Sequence, residues 1–68
     1  MNLSNLGNRI VAKRKEHGLK QTDLANPLFL SAQAVSKWEL GKNAPGIEHL
    51  VPLSKLLHCS IEYILTDE

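Results

Sequence analysis

The chain has 68 residues, a formal net charge of +1 and a single cysteine, Cys59. That length supports one small hydrophobic core; folding buries only about 60% of the surface the unfolded chain exposes, and one thiol cannot add a disulfide. No apolar run approaches the roughly 18 residues of a membrane span. The opening Met-Asn-Leu-Ser-Asn lacks the basic start and apolar stretch of a signal peptide, so a soluble protein of the reducing cytoplasm is expected.

Aromatic residues make up 4% of the chain, and apolar residues recur at helical rather than alternating spacing, so the expected class is all-α. A first helix is predicted over residues 4–16, with Leu6 and Ile10 sharing a face with the stems of Lys13 and Arg14, and Gly18 as its stop. A second covers residues 21–28, with Leu24, Ala25 and Leu28 turned inward. Phe29, Leu30 and Ser31 form a turn, and Ser31 caps a third helix over residues 32–40, which Gly41 ends. Residues 42–45 form a loop. The fourth helix spans residues 47–57, with Ile47, Leu50, Leu53 and Leu57 as its inner stripe, and Ser60 caps a short fifth helix over residues 61–65. Pro27 and Pro52 each remove a backbone donor and disfavour helix at the preceding residue. A shortened second helix and a kinked or late-starting fourth are therefore expected. Five short helices with tight connections make a compact globule of crossed helices, a single domain over residues 1–68.

Charge is divided along the chain. Residues 1–45 carry seven basic against three acidic side chains, whereas residues 46–68 carry only Lys55 against Glu48, Glu62, Asp67 and Glu68. Opposite signs on the two halves suggest one face for a polyanion and another for something else. The basic half contains the most informative segment, residues 21–40. Two short helices joined by a tight turn and set roughly perpendicular form the motif that places a second helix in the major groove. So close a crossing needs a small residue on the first helix, which Ala25 supplies. An apolar plug is needed from the second, which Val35 supplies. Turning the third helix by about 100° per residue puts Val35 and Trp38 on one side, with Ala34 beside them. Gln33, Ser36, Lys37 and Leu40 fall on the other, with Ala32 at the N-terminal edge. A Gln amide can bond an adenine edge in bidentate fashion, Lys can donate to guanine O6 and N7, and an Ala methyl can touch a thymine methyl. Taken alone, such a face is also what an ordinary surface helix presents.

The run from Leu19 to Ala25, Leu-Lys-Gln-Thr-Asp-Leu-Ala, is followed by Ser31 to Lys42, Ser-Ala-Gln-Ala-Val-Ser-Lys-Trp-Glu-Leu-Gly-Lys. Together they closely resemble the phage-repressor-like (Xre/Cro-type) helix-turn-helix family, and the likeness continues through Pro45, Leu50, Leu53, Leu57, Ser60 and Ile61. The resemblance implies a lambda-repressor-like DNA-binding fold and a transcriptional regulator, a repressor, that binds double-stranded DNA through its third helix. Carried over residue by residue, it assigns base contacts to Ala32, Gln33, Ser36 and Lys37. It assigns phosphate contacts to Gln21, Ser31, Lys42 and Asn43. It also implies that Arg14 pairs with Glu39, tying the first helix to the third. Phe29 departs from the pattern, because the family's turn usually has Gly there and a bulky side chain takes positive φ only with strain.

Other chemistry finds little footing. His17, His49 and His58 are scattered, and adjacent side chains such as His58 and Cys59 diverge by about 100° on a helix and chelate poorly. No enzyme activity, cofactor, metal or small-molecule ligand is expected. Trp38 as a stacking platform for single strands is the rarer use of an aromatic at core spacing, and Cys59 reads as a small buried residue. The rival reading is a protein-interaction module on the same scaffold, served by the acidic half and the apolar end Tyr63-Ile64-Leu65. That end is equally a candidate homodimer seam, two copies presenting their third helices about 34–36 Å apart, one turn of DNA. The chain can also be the DNA-binding part of a longer protein.

Overall fold

A computed structural model describes residues 2–66; Met1 and the acidic Asp67 and Glu68 lie outside the described residues. Five helices, α1 (Leu3–Glu16), α2 (Gln21–Ala25), α3 (Ala32–Glu39), α4 (Ile47–Leu56) and α5 (Ile61–Leu65), pack around one core, with a single 3₁₀ turn over Asn26–Leu28. Among the described residues there is no strand.

Local chemistry sets most of the boundaries. Helix α1 begins a residue earlier than expected because the Asn2 side chain accepts from the Ser4 and Asn5 amides at 2.9 and 3.2 Å. Ser31 and Ser60 cap α3 and α5 in the same way, accepting from Ala34 and Tyr63. The Asp23 carboxylate reaches back to the Lys20 amide at 2.7 Å and secures the start of α2. Pro27 has the expected effect on α2: with no N–H to continue the α-helical ladder, the segment tightens into the 3₁₀ turn after Ala25.

The fourth helix does not start late. It starts at Ile47 and runs through Pro52 to Leu56. The carbonyl that Pro52 leaves unpaired, that of Glu48, lies on the exposed side of α4, where water can serve it. The inner stripe also differs. Leu53 and Leu57 are fully buried and Leu50 half-buried, but Ile47 is 84% exposed. Ser54 takes a buried place instead, its hydroxyl satisfied by donating to the Val51 carbonyl at 2.7 Å.

Four segments close with one hydrogen-bond pattern, a reversal whose pivot residue takes positive φ. After α1, the Leu19 amide donates to Arg14 and that of Gly18 to Lys15; after α3, Lys42 donates to Lys37 and Gly41 to Trp38. Gly18 and Gly41 pivot at φ 66° and 75°, at ease in that region. The other two pivots are not glycine. Phe29 closes the 3₁₀ turn at φ 58°, and His58 closes α4 at φ 53°.

The core joins Leu6 and Ile10 of α1, Leu24 and Ala25 of α2, Val35 and Trp38 of α3, Leu53 of α4 and Ile64 of α5, with Leu28 and Leu57 between them. Helix α1 crosses α3 at Gly7, where a β-carbon would stand 2.5 Å from the carbonyl oxygens of both Trp38 and Glu39. Backbone meets backbone there, and only glycine permits it.

Candidate nucleic-acid interface

Helix α3 has two faces of opposite character. Behind it, Val35 is fully buried and Trp38 only 5% exposed, so the indole is a core side chain and has no free face for stacking a base. Ala25, the small residue expected opposite Val35, is likewise fully buried in the same cluster. In front, Gln33 and Lys37 are exposed, and Ala32 and Ser36 are half-buried beside them. Leu40, the C-cap, continues this face and is 65% exposed. Ser31 lies at one end of α3, and Lys42 and Asn43 at the other, all three exposed. Their main chain is already committed in part: the Lys42 and Asn43 amides both donate to the Lys37 carbonyl.

A polar node locks α3 from the side. Arg14 grips Glu39 in bidentate fashion, Nε to Oε2 at 2.6 Å and Nη2 to Oε1 at 3.1 Å, and its Nη1 donates to the Leu19 carbonyl at 3.0 Å. The side chains are 14% and 6% exposed, so this is not an exposed surface pair. Charge-assisted, two-pronged hydrogen bonds are about twice as strong as neutral ones, and in so dry a setting each charge depends on the other. Gln21 completes the node, its Nε2 donating to Glu39 Oε1 at 2.9 Å. The amide expected at a phosphate thus has one N–H on a carboxylate within the fold, leaving its second N–H for an anion. Arg14, Gln21 and Glu39 come from α1, α2 and α3, so one carboxylate ties three helices together.

Three features of this region had no counterpart in the sequence reading. The Gln21–Glu39 bond joins residues 18 positions apart, and nothing local announces it. The crossing at Gly7 left a faint signal, a glycine inside a helical pattern where alanine would be the better helix former. The 65% exposure of Leu40 extends the outward face beyond the residues for which the resemblance implies contacts.

The α2–α3 connection is strained and exposed at a single residue. Phe29 adopts φ 58° and ψ 38° with its side chain 96% exposed. Its amide donates to Asn26 at 3.1 Å and that of Leu30 to Ala25 at 3.0 Å, so the backbone turn forms as it would with glycine. The left-handed region costs a non-glycine residue roughly 1–2 kcal/mol, and an exposed ring recovers little of it.

Elsewhere, the chemistry is modest. Ile64 is fully buried, Tyr63 and Leu65 are half-buried beside the core, and the Tyr63 ring lies 5.9 Å from the Arg9 guanidinium and 5.1 Å from the Lys13 ammonium. Burial pushes the half-buried Cys59 thiol above its ordinary range, the opposite of what a reactive thiolate needs. A hydrogen bond to Glu16 raises the pKa of Lys13. The His17 and His58 rings approach to 4.7 Å, but among the described residues no group of three or more His, Cys, Asp or Glu side chains is arranged to hold a metal ion. Among the same residues, no helix is long and apolar enough to cross a membrane.

Residues 10–64 match the family described as helix-turn-helix. The chain is 40% identical over 65 residues to the repressor protein C2 of Salmonella phage P22, an alignment covering 96% of this chain and 30% of that protein. It is 42% identical over 60 residues to the helix-turn-helix-type transcriptional regulator DicA of Escherichia coli K12, covering 88% and 44% respectively. The chain therefore spans about a third to a half of the length of these curated relatives. In fold it is similar to the restriction-modification controller protein C.AhdI from Aeromonas hydrophila, with a TM-score of 0.82 at 24% identity over 93% of this chain and 96% of that one.

Proposed function

As this chain belongs to the helix-turn-helix family, we propose that it binds double-stranded DNA sequence-specifically, with α3 in the major groove, and acts as a transcriptional repressor in the cytoplasm rather than as an enzyme. The observation that carries this reading is the contrast on α3. Val35, Trp38 and Glu39 hold the helix rigidly from behind, and Gln33 and Lys37 are left free in front. A reading helix needs both properties, because base edges reward only side chains held in register. Gln33, Ser36, Lys37 and Ala32 contact bases, while Gln21, Ser31, Lys42 and Asn43 contact phosphates and set the register.

Selection from random duplex DNA, with binding measured across a salt series, tests this. The affinity should fall with log salt by about 0.9 per phosphate neutralised, and a short motif should be enriched. Gln33→Ala and Lys37→Ala should relax that motif, at about 1–3 kcal/mol for each good base contact. Gln21→Ala should weaken all sequences alike. Salt-insensitive or absent binding would favour a protein partner instead.

The repressor binds as a homodimer, joined across the exposed face of α4. Ile47 and Val51, 84% and 48% exposed, lie one turn apart on that face with Glu48 and Lys55 beside them. When two such helices pair antiparallel about a twofold axis with Glu48 of one copy opposite Lys55 of its partner, the two Val51 side chains meet near the axis and each Ile47 packs at an end of the seam. Ile47→Glu should shift sedimentation toward monomer, and a palindromic selected site should accompany the wild-type dimer.

A further inference from the structure

Resting on the reading of α3 as the groove helix, we propose that Leu40 is a specificity residue that reads the C5 methyl group of a pyrimidine, thymine in ordinary DNA. Helical rotation places Ser36, Leu40, Gln33 and Lys37 at about 40°, 80°, 100° and 140° around α3, so Leu40 lies in the middle of the outward sector. It keeps helical geometry at φ −85° and ψ −1°, and its amide still donates to Ser36 at 2.9 Å. Its side chain therefore continues the reading face by a further turn. At 65% exposure, Leu40 contributes little to the core.

The chemistry of the groove decides what such a side chain meets. The thymine methyl is the one apolar group that projects into the groove; the other groups that reach it are hydrogen-bond donors and acceptors or flat C–H edges. An isobutyl group gains nothing from the polar edges and gains burial from that methyl. Cytosine, which lacks the methyl, is disfavoured at the same place, and 5-methylcytosine regains it. The rise from Gln33 to Leu40 is about 10 Å. At 3.4 Å per base step, the methyl lies roughly three steps from the base that Gln33 reads.

The test replaces thymines of the selected site one at a time with deoxyuridine, which removes the methyl and keeps every hydrogen bond. At the thymine about three steps from the base that Gln33 reads, the replacement should weaken binding about three- to fivefold, the worth of one buried methyl group. Leu40→Ala should abolish that sensitivity and leave the bases read by Gln33 and Lys37 unchanged, while Leu40→Met should retain it. With 5-methylcytosine in place of that thymine, paired with guanine, wild type should bind more tightly than with cytosine, and Leu40→Ala should bind both alike. An enriched site with no uracil-sensitive thymine about three steps from the base that Gln33 reads, or a sensitivity there that survives Leu40→Ala, overturns the role of Leu40 alone; a sensitive thymine at the Ala32 end of the site does not restore it. No enriched sequence at all overturns the groove reading with it.

Discussion

The two supports of α3 contrast sharply. At its C-terminal end, Glu39 is bound by Arg14 and Gln21, and among the described residues no buried side-chain nitrogen or oxygen is left unpartnered. At its N-terminal approach, the chain turns on Phe29, a bulky residue in a region that favours glycine, its ring in solvent. One region is over-determined and dry; the other carries strain that nothing around it repays. The difference locates the precision of the site: the angle of α3 is set by its packing and by the Glu39 node, while the turn only has to let the chain through.

Substitutions can break or sharpen that contrast. The largest effect belongs to the node. Arg14→Met should cost about 3–5 kcal/mol, because it strands a buried carboxylate. A domain of this length holds roughly 3–10 kcal/mol in total, so urea denaturation should show it largely unfolded. Adding Glu39→Met should recover much of the loss; if the double variant is no better than the single, the carboxylate was not the liability. Next comes the crossing behind the node. Gly7→Ala should cost about 1–3 kcal/mol, since two backbones must part to admit a methyl. A melting temperature unchanged from wild type would mean that α1 and α3 are less closely seated. The turn should respond in the opposite direction. Phe29→Gly relieves the left-handed strain and should stabilise by about 1 kcal/mol, net of the extra freedom glycine brings to the unfolded chain. A loss of stability would show that the ring packs on something. Smallest of all is the Lys13–Glu16 ion pair, 3.1 Å long but on the surface. Glu16→Gln should leave the melting curve in place, since a pair in water gains little.

Much of this was legible because it is local. Capping by Ser31 and Ser60, the glycine stops at residues 18 and 41, and the effect of Pro27 all depend on side chains within a few positions of the backbone they act on. The division of α3 into a buried and an outward face follows from periodicity alone. The misjudged features were those where a neighbour decides. Ile47 fits the period of a buried stripe, yet the packing of α4 leaves it in water. Of the end Tyr63-Ile64-Leu65, only Ile64 enters the core when α5 docks, and Tyr63 and Leu65 stay half-buried at its edge. The Arg14–Glu39 pair came from family likeness, and its burial could not be read from spacing.

An all-helical chain with a short third helix that is polar on its outward face is therefore written in the order of residues, because helix caps, breaks and faces are properties of neighbouring positions. Which helix backbones touch, and which carboxylate gathers which donors, arise only when distant segments meet. Gly7 against Trp38, and Gln21 against Glu39, are contacts of that kind. Their worth comes from excluded water and matched distance, quantities that exist only in the assembled fold.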